Sequence, residues 1–104
     1  MKLLHVTRTS IACPSQWEGV LDNGCMLYVR YRHGGLSINK SKEPTDDIYE
    51  AVNGEELLYE VVGEDGLMWW KELLPYLVKA GVDAEHLQFE EPYRNAIQEI
   101  FGNF

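Results

Sequence analysis

At 104 residues, 45% of them apolar and 25% charged, the chain has the size and balance of one globular domain able to close a core without staples. It holds no run of about 18 apolar residues, as a membrane-spanning helix would need. Met1 to Arg8 turns polar too soon for a signal peptide. Cys13 and Cys25 lack CxxC spacing and are expected as free thiols. Together these features predict a soluble cytoplasmic protein.

The net charge of −8 is unevenly spread. Residues 1–42 hold six basic and two acidic residues, net +4, and residues 43–104 hold three basic and fifteen acidic residues, net −12. Two readings follow. Either the molecule has oppositely charged surfaces that select a partner, or the acidic half simply keeps it in solution.

Leu4, Val6 and the run Thr7 to Ile11 predict a first strand, which Cys13-Pro14-Ser15 breaks. A second extended run, Gln16 to Leu21, leads through Asp22-Asn23-Gly24 into a third, Cys25 to Arg32. Asn-Gly at that point predicts a hairpin whose two central residues take positive φ. In the third strand Cys25, Leu27, Val29 and Tyr31 share an apolar face, while Met26, Tyr28, Arg30 and Arg32 share an aromatic and basic one. His33-Gly34-Gly35 turns the chain again, and Leu36 to Lys40 returns as a fourth strand.

After Pro44 the period changes. Thr45 is the expected N-cap of a short helix, with Asp46 and Asp47 in its first turn, Ile48, Ala51 and Val52 on one face and Gly54 as its stop. Glu55 to Val62 alternates at Leu57, Tyr59 and Val61 and reads as a fifth strand. Leu67, Trp70, Leu74 and Leu77 predict a second helix closed by Gly81. Pro75 either kinks that helix or lies in its first turn. A last helix is expected from near Glu90, with Pro92 in its first turn and a stripe of Tyr93, Ala96, Ile97, Ile100 and Phe101. The order β-β-β-β-α-β-α-α over residues 1–104 predicts an α+β domain, with helices packed on one face of an antiparallel sheet.

The enzyme templates are missing: there is no GxSxG elbow, P-loop, GxGxxG or HExxH. His5, His33 and His86 show no metal-ligand spacing with the cysteines. No enzyme, cofactor or metal is expected.

Two clusters remain. Trp17 with Tyr28, Arg30 and Arg32 would suit a planar anionic ligand, through guanidinium forks and stacked rings. The plainer reading makes the Tyr and Arg residues cross-strand pairs and Trp17 a core residue. Asp46, Asp47 and Glu50 lie in a stretch of nine carboxylates from Glu43 to Asp65 that would complement a basic protein groove. Of Trp69 and Trp70, one ring is expected in the core and the other, if exposed, as a partner anchor alongside those carboxylates.

CPSQWEG and YVRYRHGGL, joined by Asp-Asn-Gly, resemble a hairpin in small proteins encoded by bacteriophages and prophages. The resemblance covers residues 12–38 and carries no site residues over. It implies an accessory protein that binds and disables host machinery, including nucleic-acid-guided immunity, in the manner of an anti-CRISPR protein. The leading expectation is therefore a non-catalytic inhibitor of a host defence protein. The alternative is a small-ligand binder that sequesters a nucleotide or other anionic signal. Direct nucleic-acid binding is opposed by the net charge.

Overall fold

The computed structural model describes residues 1–87. Five strands run as an antiparallel meander in chain order: β1 (Leu3–Ser10), β2 (Ser15–Leu21), β3 (Met26–Arg32), β4 (Gly35–Lys40) and β5 (Glu55–Val61). Helix α1 (Ile48–Val52) interrupts the meander before β5, and α2 (Trp70–Lys79) follows it. The expected α+β class and antiparallel sheet are borne out, as is the element order through the second helix. The helix expected from Glu90 lies outside the described residues.

One face of the sheet is apolar. Leu3, Trp17, Leu21, Leu27, Val29, Tyr31, Leu36 and Ile38 are buried there against Trp70, Leu73 and Leu77 of α2. Each fully buried side chain of that size contributes about 1.5–3 kcal/mol, so α2 is held by its inward stripe more than by propensity. The alternation expected of β3 is observed, with Leu27, Val29 and Tyr31 inward and Met26, Tyr28 and Arg30 on the opposite face. In β1 a register shift between Leu3 and His5 puts Leu3 and Val6 on the core side and leaves Leu4 exposed. Short α1 stands apart from this core and caps the β3–β4 end, where Asn39 Nδ2 donates to the Val52 carbonyl at 3.3 Å.

Both turns depart from simple reading. At Asp22-Asn23-Gly24 only Gly24 has positive φ, +86°, and Gly24 N–H donates to Leu21 O while Leu21 N–H donates to Cys25 O. That is a three-residue loop, not the expected two-residue turn. The two-residue turn with paired positive φ occurs at His33 (+51°) and Gly34 (+79°), between Arg32 and Gly35.

Pro75 lies in the middle of α2, so the alternative that placed it in the first turn does not hold. The helix starts earlier because Glu72 accepts from the Trp69 N–H at 3.0 Å. It ends as expected at Gly81: Val82 N–H donates to Leu77 O and Gly81 N–H to Val78 O, a Schellman closure that the left-handed Gly81 permits. The N-cap of α1 is Asp47, whose Oδ1 accepts from Tyr49 N–H at 3.0 Å. Thr45, the expected cap, instead accepts from Asp47 N–H through Oγ1 at 3.0 Å. Cys13 is exposed, Cys25 is buried and both are free thiols.

Candidate functional site

The residues expected to bind a planar ligand do not come together. Trp17 is fully buried on the core face, opposite Val29, whereas Tyr28 and Arg30 lie on the other face and Arg32 is exposed at the strand end. The cause is the loop length. A two-residue Asn23-Gly24 turn would set Trp17 opposite Arg30, but the three-residue loop shifts the register by one and turns Trp17 inward. Tyr28 is itself engaged, donating through its hydroxyl to Gln16 Oε1 at 3.0 Å. Its phenol pKa is raised, first by burial and then by the charge of Glu18, with Arg30 acting in the opposite direction.

Trp17 serves a structural node that composition did not reveal. Arg8 lies inward because it pairs with Trp17 across β1–β2. Its guanidinium sits 4.7 Å from the centre of the Trp17 ring and 5.5 Å from that of Trp69. It donates to Ile11 O at 2.7 Å, Met68 O at 2.6 Å and Ser15 Oγ at 3.2 Å. Sandwiched between two indoles, this cation is desolvated, and the three hydrogen bonds from one guanidinium nitrogen offset part of that cost. It is thereby withdrawn from the basic surface that the first 42 residues were expected to show.

Trp69 is half-buried beneath Arg8 on the core side. Asp46 instead borders a hollow with His5, Thr7, Thr9 and Glu18 on the opposite side of the sheet. Trp69 is therefore no anchor beside Asp46, Asp47 and Glu50. Trp70 is buried, its ring centre 6.4 Å from that of Trp17 at a tilt of 56°.

The three carboxylates do share a surface. Asp46, Asp47 and Glu50 are all exposed around the start of α1. Their aromatic neighbour is Tyr49, 71% exposed, which the expectations overlooked. The helical stripe could have shown it: if Ile48, Ala51 and Val52 point inward, Tyr49 must point away. Beside Tyr49 lies a hollow of about 440 Å³ lined by Lys42, Glu43, Tyr49, Glu50, Asn53 and Gly54. A second, of about 520 Å³, adjoins Asp46 and Thr45 and is floored by Val20 and Met26. The α1 turn is thus an acidic knuckle with an aromatic tip and a depression on either side. Asp47 as N-cap and the Thr45 hydroxyl hold its backbone.

No family model, curated protein or solved structure matches the chain. The fold and this surface define a small α+β domain with an exposed acidic turn beside Tyr49. Among the described residues no helix is long and apolar enough to cross a membrane.

Proposed function

We propose that the protein is a non-catalytic accessory protein of phage type that acts in the cytoplasm, binding a host defence protein and blocking it by occupying a basic surface. One observation carries the reading: Tyr49 stands exposed among Glu43, Asp46, Asp47 and Glu50 on a capped turn. Tyrosine is an effective anchor because it brings large contact area at low entropic cost. The surrounding carboxylates steer a basic partner towards it and align it on arrival. A groove lined with lysine or arginine, such as one that normally holds nucleic acid, matches both features. The phage-type setting rests on the resemblance of residues 12–38.

The test is capture from a host lysate by the wild-type protein and by an Asp46→Lys/Tyr49→Ala/Glu50→Lys variant. Asp47 is left intact because replacing it would remove the helix cap. Mass spectrometry should find a basic host protein with the wild type and not with the variant. Equal recovery of the same protein by both would overturn the reading. The nucleotide-binding alternative loses its stacking platform with Trp17. What remains of it is Arg30 beside Tyr28, and a calorimetric nucleotide screen with an Arg30→Ala control tests that pair.

A further inference from the structure

The far edge of the sheet carries a second surface, independent of the α1 knuckle. Strand β5 is last in the sheet order, and among the described residues nothing pairs with its outer edge. The β1 edge differs, because the segment after α2 runs beside the start of the chain. There Leu3 N–H donates to Asp83 O at 2.8 Å and Asp83 N–H to Met1 O at 2.7 Å.

Hydrogen-bonded and non-bonded pairs alternate along antiparallel strands. Val62 N–H donates to Gly34 O at 2.8 Å. The bonded pairs therefore continue at Leu36–Glu60 and Ile38–Leu58. Tyr59 and Val61, opposite Ser37 and Gly35, turn their N–H and C=O groups outward. The side chains of these two residues are 59% and 74% exposed. The Lys79–Glu60 ion pair ties the last turn of α2 to β5. An open edge whose outward backbone groups belong to exposed apolar residues is the geometry that accepts an added strand.

Charge selects the occupant. β5 and the loop after it carry Glu55, Glu56, Glu60, Glu64 and Asp65. Lys40 answers Glu55 and Lys79 answers Glu60, while Glu56 and Glu64 are exposed. A second copy pairing antiparallel at this edge would set glutamates against glutamates and join two chains of net charge −8. We propose that the β5 edge is a docking site for an extended, lysine- or arginine-bearing strand of a partner protein, taken up by strand addition.

The test uses the isotope-labelled full chain and an N-acetylated peptide of alternating lysine and valine, about seven residues long to match a typical strand. On saturation, amide exchange at Tyr59 and Val61 should slow about tenfold or more. The same peptide with glutamate for lysine should give no protection. Tyr59→Pro removes an outward N–H without breaking a β4–β5 bond, so it should lose peptide binding and keep its circular dichroism. If that variant does not fold, a peptide N-methylated at alternate residues decides instead, and it must fail to protect the wild-type edge. The proposal is overturned by unchanged exchange at Tyr59 and Val61, by equal protection from the glutamate peptide, or by dimerisation of the protein alone through β5.

Discussion

Replacing Ser15 by alanine probes the node that holds α2 to the sheet. Ser15 is fully buried. Its Oγ accepts from Met68 N–H at 2.8 Å and from Arg8 at 3.2 Å, and its proton has two acceptors in reach, Ile11 O at 2.5 Å and Gly66 O at 3.2 Å. Alanine fills nearly the same space, so the cost comes from orphaned groups and not from a cavity. A buried backbone N–H left without an acceptor costs about 1–3 kcal/mol. Arg8 keeps Ile11 O and Met68 O, so its loss adds a smaller amount, about 0.5–1 kcal/mol. The sum of about 1.5–4 kcal/mol is a large share of the roughly 5–15 kcal/mol expected of a domain this size. At about 4–8 °C per kcal/mol, Tm should fall by roughly 6–30 °C. Urea titration would give the free energy, and hydrogen exchange should show the Met68 amide opening faster. A loss below about 0.5 kcal/mol, within the range of ordinary surface changes, would refute the assignment of Ser15 as the link between the β1–β2 loop and the start of α2.

Tyr31 donates to Asp65 Oδ1 at 3.0 Å and is 3% exposed. Burial, followed by that hydrogen bond, pushes its phenol from 10.0 up to about 12. The folded state holds the proton more tightly, so the associated stability is full below pH ~10 and is lost as pH rises towards 12, by up to about 2–3 kcal/mol. The urea-denaturation gap between wild type and Tyr31→Phe should narrow across that window, and a constant gap would contradict the assignment. Gly34→Ala should cost more than about 3 kcal/mol, because φ is +79° and a Cβ would come within 2.0 Å of Gly63 O; a normal melting curve would refute this. Asp47→Ala removes the α1 cap, a loss of about 1 kcal/mol, and should speed amide exchange from Tyr49 to Val52 while leaving β3 unchanged.

Much of the fold was legible because period and punctuation agree. The alternation in β3, the breaks at Pro14 and His33-Gly34 and the Gly81 stop each rest on local physics that tertiary packing did not overrule. The failures share a non-local cause. Whether Asp22 belongs to β2 or to the loop changes the hairpin by one residue, and that residue decides whether Trp17 joins Arg30 or the core. Propensity is nearly silent on such a choice. Counting outward from a Leu21–Cys25 pair would have placed Trp17 opposite Val29, already identified as inward-facing. Arg8 was missed because an arginine on the core face makes sense only with Trp69 folded over it from about sixty positions away. In β5 the alternating set Leu57, Tyr59 and Val61 marks a strand, yet Tyr59 and Val61 face solvent. Period alone marks the strand without saying which face is covered. At the candidate site the carboxylates were visible in composition, and Tyr49 was recoverable from the α1 stripe.

Fixed negative charge around one aromatic residue is what this account makes responsible for function, and association kinetics reach it most directly. With the host protein captured by the wild type, the association rate should be measured for Asp46→Lys/Glu50→Lys at about 10 and 150 mM salt, where the screening lengths are roughly 30 and 8 Å. The variant's rate should be about tenfold or more below wild type at low salt, with the difference shrinking at high salt. Equal rates for the two proteins at low salt would contradict it.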